Sequence, residues 1–273
     1  MRLGYELGYL DRVTKPSDLR NPDHCPPEIM SDIERFYIRA LGIPDTIKQQ
    51  QARKVFSIIE KLSFSSVLDI GCAQGYYAVR IASKYPQVEV KGIDVNEEKL
   101  AMASLIKKKF GLRNVTFEKI DITKAQVFQK YDLVLLLQVI EHLKDDRATL
   151  IKIRELITKN GNLIITGPNV ESPMINWEKR YLSIDGHIRD GYSMKQISNI
   201  LADVGFRIKQ IQTLSTTVGQ FVEKFETYAK LNLPLFIFAL LYPFLNSLTY
   251  LDDYINISNT ANGSGFLIVA SAY

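Results

Sequence analysis

Val67-Leu68-Asp69-Ile70-Gly71-Cys72-Ala73-Gln74-Gly75-Tyr76 sets three apolar residues and one carboxylate directly ahead of two glycines four positions apart. An apolar-periodic segment, 77–82, follows. That order reads as a buried strand, a tight loop and the start of a helix. The glycines let backbone come close to a nucleotide-like ligand. Asp69 stands before them, where its charge would repel a phosphate, so the loop suits a nucleoside that carries none. A nicotinamide dinucleotide site asks for G-x-G-x-x-G, with the pyrophosphate resting on a helix N-terminus. The spacing here is G-x-x-x-G, and the dehydrogenase reading is rejected.

Working outward, the chain alternates. Strands are predicted at 66–70, 88–94, 115–120, 131–137 and 161–166, and helices at 75–84, 97–110 and 145–159. The run Leu133-Val134-Leu135-Leu136-Leu137 is apolar at every position, as a strand covered on both faces requires. Alternation of this kind builds a parallel sheet with right-handed crossovers, and ligands bind beyond the carboxyl ends of its strands. A helix at 193–204, capped by Ser193 and ended at Gly205, and strands at 207–214 and 265–271 complete the pattern. The fold class is α/β: a Rossmann-like, seven-stranded, mostly parallel sheet with helices on both faces.

Four regions follow. Residues 1–51 form an N-terminal helical extension, in which three prolines within 21–27 enforce an irregular stretch. Residues 52–215 form the core, 216–263 a helical insertion, and 264–273 the final strand. The segment 169–192, with the lone Trp177, reads as a lid or a long surface loop. Residues 231–248 contain no charge, but Pro234 and Pro243 interrupt them and Asn232 and Asn246 dilute them, so a membrane span is disfavoured. A cap over the acceptor pocket, a homodimer interface, and a patch touching a membrane or lipid substrate remain open, the cap having the largest share.

Residues 67–75, together with Gly92-Ile93-Asp94-Val95, Lys119-Ile120-Asp121-Ile122, Tyr131-Asp132-Leu133-Val134 and Gln138-Val139-Ile140-Glu141-His142-Leu143, resemble the ordered motifs of class I S-adenosylmethionine-dependent methyltransferases. The resemblance covers about residues 52–215. It implies that S-adenosylmethionine is bound as cosubstrate by Asp69, Gly71, Cys72, Gly75, Asp94, Val95, Asp121, Ile122 and Gln138. Gly71 and Gly75 would pass close to the methionine end, and Asp69 would orient the loop or attract the ammonium. Asp94 would accept from the ribose hydroxyls and Asp121 from the adenine amino group. Val95 would lie against the adenine, and the Ile122 backbone N–H would meet a ring nitrogen. Ala73 replaces a third glycine common in the family and fits if its φ is negative.

Methyl transfer asks chiefly for alignment and a deprotonated acceptor. His142 and His187 are the candidate catalytic bases. Related O-methyltransferases of the ubiquinone pathway and of small RNAs carry Glu-x-x-Glu-His and hold a divalent metal. Gln138 stands here in place of the first Glu, which removes one negative charge. A metal site is therefore the lesser reading, and metal-assisted 2′-O-methylation of RNA is an alternative that lacks a basic stripe with interleaved aromatics. A catalytically inactive partner subunit of the same fold is another. The favoured function is methylation, on oxygen, of a small-molecule or lipid-linked acceptor with an apolar portion.

Bulk properties agree with a soluble enzyme. Net charge is +4 and charged residues make up 23%, far from a polyanion-binding tail. The run Lys107-Lys108-Lys109 ends a predicted helix, where cations complement the dipole. Two cysteines, Cys25 and Cys72, give no disulfide framework, and the N-terminus lacks an export pattern. A cytoplasmic location, peripheral to a membrane if the patch reading holds, is expected.

Overall fold

The computed structural model of the chain describes residues 45–125, 129–174, 187–233, 235–255 and 263–272. The irregular stretch 21–27 and its flanking helices lie outside the described residues. So do Cys25, Trp177, Asp185, Gly186 and Pro234.

Seven strands form one sheet: β1 (Ser66–Ile70), β2 (Glu89–Asp94), β3 (Val115–Lys119), β4 (Tyr131–Leu137), β5 (Ile157–Pro168), β6 (Phe206–Leu214) and β7 (Gly265–Ala272). Their order is β3-β2-β1-β4-β5-β7-β6. The first five run parallel, and β7 is antiparallel to both neighbours. The order reverses between β1 and β4, which opens the crevice where open α/β sheets bind ligands.

Side-chain alternation divides the core in two. Val67, Leu133, Leu135 and Ile164 point to one face, against Ala52, Val55 and Phe56 of α1 (Thr46–Ile59) and Ala78 and Ile81 of α2 (Tyr76–Lys84). Leu68, Val134, Leu136 and Ile165 point to the other, against Leu150 and Ile153 of α4 (Asp146–Glu155) and Ile197 and Leu201 of α5 (Met194–Asp203). The unbroken apolar run in β4 follows from this double coverage. Helix α3 (Glu97–Lys109) begins at an Asn96 side-chain cap, and its last turn carries the three lysines that the sequence placed there. Ser193 caps α5 in a reciprocal capping box with Gln196, and Gly205 beyond its end has φ +88°.

The structure corrects three readings. Helix α4 ends at Glu155, and Ile157 already pairs with Tyr131, so the strand expected from 161 begins at 157. Between Tyr131 and Leu133 the register shifts, and Asn160 adopts φ +69°. The β-branched pair Ile157-Thr158 extends the strand across that bulge. Helix α1 runs through the boundary placed between residues 51 and 52. Pro243 does not break the insertion, because α7 (Leu235–Ile255) continues through it. Phe238, Tyr242 and Leu245 on either side of Pro243 are buried, and that packing outweighs a local cost of about 3 kcal/mol.

The insertion is a helical hairpin, α6 (Thr217–Asn232) and α7, packed on α1. Polar bonds fix the contact. Asp252 of α7 is fully buried and accepts from Thr216 N (2.9 Å), Thr216 Oγ1 (2.6 Å), Val218 N (3.2 Å) and Gln50 Nε2 (2.9 Å). It thereby caps the N-terminus of α6 and ties it to α1. Asp253 pairs with Arg53 (2.9 Å) and Lys54 (3.3 Å), and Glu226 accepts from Thr46 N (3.0 Å).

Burial disfavours the charged form of Asp252, but the bonds from Thr216 and Gln50 outweigh it and hold the carboxyl below its ordinary pKa. A depressed native pKa contributes stability that is present above the unfolded value, about 3.9, and lost as pH falls below it. Asp252→Asn is expected to lower stability by about 2 kcal/mol at pH 7, and by less in acid below the unfolded pKa. Urea denaturation of both proteins across that pH range checks it.

Candidate active site

The glycine loop leaves β1 after Ile70 and turns through left-handed conformations: φ is +70° at Gly71, +48° at Ala73 and +79° at Gly75. A Cβ on Gly71 would collide with Val139, and one on Gly75 would sit 2.7 Å from the Phe117 ring. Both glycines are therefore required by conformation and by space. The expectation of a negative φ at Ala73 is overturned. Ala73 N donates to Asp94 Oδ2 at 2.8 Å, and that bond holds a conformation that costs a non-glycine residue about 1–2 kcal/mol.

The end of β2 anchors the loop. The Ile93 carbonyl accepts from Gly71 N (2.8 Å) and Cys72 N (3.0 Å). The second oxygen of Asp94 accepts from Asn96 N at 2.8 Å. Asp94 is half-buried and Val95 beside it is exposed, a carboxylate next to an apolar platform at the strand end. Asp69 is buried beneath the loop, where its Oδ2 accepts from Ala78 N at 3.2 Å. Burial pushes its pKa up to about 7, against the Ala78 bond and with help from Asp94. It acts by orienting the first turn of α2. Cys72 is buried and packs against Gly92, its thiol pKa raised first by burial and then by Asp69 and Asp94.

Asp121 follows β3, and its Oδ1 accepts from Thr123 N (3.0 Å) and Thr123 Oγ1 (2.7 Å). These bonds from Thr123, opposed by slight burial, lower its pKa. The carboxylate thus caps a turn just beyond β3, and the Ile122 side chain is buried in the core.

Gln138 follows β4 with φ +56°. Its backbone N–H bonds to Thr166, and its Nε2 donates to Gln51 Oε1 at 3.1 Å. Gln51 Nε2 in turn donates to Tyr77 OH at 3.2 Å. Helix α1 therefore bridges the residue that follows β4 and the first turn of α2. Sequence reading missed Gln51, because nothing local signals a bond to a residue 87 positions away.

One turn later come Glu141 and His142. Segment 187–192 is stitched to this turn. Ile188 N donates to Glu141 O (3.0 Å), Arg189 Nη2 to Leu143 O (2.7 Å), and Tyr192 OH to Asp146 Oδ2 (2.6 Å), while Arg189 also pairs with Asp146. The stitching brings His187 against His142, with ring centroids 4.7 Å apart and nearly perpendicular planes. His142 is exposed, His187 half-buried and Glu141 buried. Burial, then the His142 ring, lower the pKa of His187 against the pull of Asp190, which favours the neutral base. Burial pushes the Glu141 carboxyl up to about 7, against its own backbone N–H.

Donor atoms of Glu141, His142 and His187 lie within 4.8 Å of one another, and Glu141 Oε2 and His187 Nδ1 are buried without a hydrogen bond. Three such donors fit a divalent cation. Gln138, the remaining candidate donor, directs its amide nitrogen to Gln51 and Thr166.

Residues 62–230, well over half of the chain, match the family described as a methyltransferase domain. The chain therefore belongs to the class I S-adenosylmethionine-dependent methyltransferases, and S-adenosylmethionine is the cosubstrate of that family. It is similar to a probable (S)-tetrahydroprotoberberine N-methyltransferase 2 of Papaver bracteatum, 31% identical over 100 residues, 37% of this chain and 28% of that protein. It is also similar to a malonyl-[acyl-carrier protein] O-methyltransferase of Acetivibrio thermocellus, 26% identical over 124 residues, 44% of this chain and 43% of that one. The chain thus spans less than half the length of these curated relatives. Among solved structures, an O-methyltransferase from a trans-AT polyketide synthase of Brevibacillus brevis, in complex with S-adenosyl-L-homocysteine, shares the fold. Its TM-score is 0.57 at 17% identity, over 92% of this chain and 81% of that one.

Ala73→Gly is expected to relieve the left-handed strain and raise stability by about 1 kcal/mol after the entropy of the freer unfolded chain is subtracted. Chemical denaturation measures it. Asp94→Ala is expected to remove the thermal shift that S-adenosylmethionine induces, read by differential scanning fluorimetry, and a retained shift would refute the assignment of Asp94 to the ligand.

Proposed function

We propose that this chain transfers the methyl group of S-adenosylmethionine to an oxygen of a small or lipid-linked acceptor with an apolar portion, with His142 and His187 taking up the acceptor proton. The observation that carries this reading is the imidazole pair at the carboxyl end of β4, on the same sheet edge as the glycine loop and Asp94. S-adenosylmethionine supplies a methyl already made electrophilic by its sulfonium, so the protein's task is to position the acceptor and hold its proton. His142 faces solvent and can meet an incoming hydroxyl. His187, kept neutral by its surroundings, supports it from the half-buried side. Glu141 orients the pair from beneath. An apolar acceptor is favoured by the exposed Ile188 next to His187 and by the hairpin behind α1. The relatives include enzymes named for nitrogen and for oxygen acceptors, so the preference for oxygen rests on the histidines.

A second reading has its own observation. The buried Glu141 Oε2 and His187 Nδ1, with His142, form a three-donor set for a divalent cation, which would orient an acceptor hydroxyl, as metal-assisted 2′-O-methylation of RNA requires.

Incubation of the protein with methyl-labelled S-adenosylmethionine and fractionated cell extract separates these readings. Label is expected in lipid or small metabolites, with His142→Ala and His187→Ala each slowing transfer by about 10²-fold and leaving the cofactor's thermal shift intact. Equal loss of cofactor binding would remove the base role. Label in RNA, abolished by a chelator and restored by Mg²⁺ or Mn²⁺, would establish the second reading. A thermal shift with no labelled product would mark the chain as an inactive partner subunit.

A further inference from the structure

Hairpin α6–α7 is apolar on its outward face as well as on its inward one. The inward face of α7 carries Phe238, Tyr242, Leu245, Thr249 and Asp252, all buried, at spacings of four and three. Its outward face carries Leu240 (77% exposed), Phe244 (62%), Tyr250, Leu251, Tyr254 (78%) and Ile255. These run in one stripe about 22 Å long. None of the exposed, described side chains of α7 bears a charge. Phe221 and Tyr228 of α6 extend the surface, so that eight of the twelve large hydrophobic residues exposed among the described residues lie on this hairpin. Ordinary surface helices do the opposite.

The charges of the hairpin are sorted just as sharply. Asp252 and Glu226 are buried, Asp253 is paired with Arg53 and Lys54, and Glu223 is half-buried with one oxygen fully enclosed. The exposed charge among the described side chains is Lys224, on the α6 face that also bears Phe221 and Tyr228. The chain as a whole carries +4.

We infer that this outward face lies flat on a lipid bilayer bearing anionic headgroups. The apolar stripe enters the headgroup and acyl boundary, where Tyr228 and Tyr254 place their rings with hydroxyls toward water, while the Tyr250 ring is covered on one face by the Arg53 guanidinium, 3.8 Å from its centroid. Withdrawal of the carboxylates leaves Lys224 as the exposed charge among the described side chains of the face, which makes it complementary to an anionic surface. No helix among the described residues is long and apolar enough to cross a membrane, so the contact is interfacial. The inward bonds of Asp252 and Asp253 to the α1 network tie the docked face to the helix whose Gln51 roofs the crevice. A lipid-borne acceptor would then be presented beside the site. The docking itself stands independently of which acceptor is methylated.

Sedimentation of the full chain with vesicles of phosphatidylcholine, with and without phosphatidylglycerol, tests this. The protein is expected to sediment with the mixed vesicles, several-fold less with phosphatidylcholine alone, and less again at high salt. L240S/F244S changes two exposed side chains and is expected to reduce the bound fraction about tenfold while retaining the S-adenosylmethionine thermal shift, whereas K224E reduces it severalfold. Absence of sedimentation with the mixed vesicles overturns the inference, as does sedimentation that neither variant alters. A dimer in gel filtration that L240S/F244S converts to monomer, without vesicle binding, also overturns it and assigns the face to a second copy of the chain. Should L240S/F244S lose the thermal shift, the comparison of wild type with K224E decides alone.

Discussion

The site depends on one attachment, the hold that the end of β2 has on the glycine loop. Ile93 gives its carbonyl to two successive loop amides, and Asp94 gives one carboxylate oxygen to Ala73 N and the other to Asn96 N. Without these acceptors a loop left-handed at Gly71, Ala73 and Gly75 would have no reason to keep its path. With them, the loop, the start of α2 and the Asp94 carboxylate become one unit. A group so placed shapes the site before any ligand arrives, which is the condition for binding energy to go into alignment. Asp69, buried below and bonded to Ala78 N, completes the unit from the other side.

A second constraint works at longer range. Segment 187–192 is pinned to 140–146 by backbone and side-chain bonds, and this docking turns two separated histidines into a pair. The same sheet edge is roofed by α1, whose Gln51 meets Gln138 and Tyr77. Helix α1 is in turn held from outside by buried carboxylates of the hairpin. The hairpin is thus the outer support of the crevice wall. It uses its charges inward to do so, and the apolar outward face is the counterpart of that arrangement.

Much of this was legible in the chain. The apolar run of β4 could only be a strand covered twice, and both core clusters confirm the coverage. The cap at Ser193 follows from a side chain that bonds three residues ahead. Where reading failed, a non-local term had won. Ile157 to Asn160 continue the helical pattern of α4 in sequence but join the sheet, because an open partner in β4 offers hydrogen bonds across a bulge. Pro243 signals a break, yet buried neighbours on both sides carry the helix through it.

The sequence by itself determined the order of strands and helices, the glycine loop and the residues that close each strand, because periodicity and turn chemistry are local properties of the chain. Tertiary structure alone decided that Ala73 is left-handed, that Gln51 meets Gln138 and Tyr77, that Glu141, His142 and His187 converge, and that one apolar face of α7 is left outward. Each of these depends on which distant segment lies against the residue. Distances of that kind are fixed by sheet order and helix packing, which no short stretch of sequence encodes.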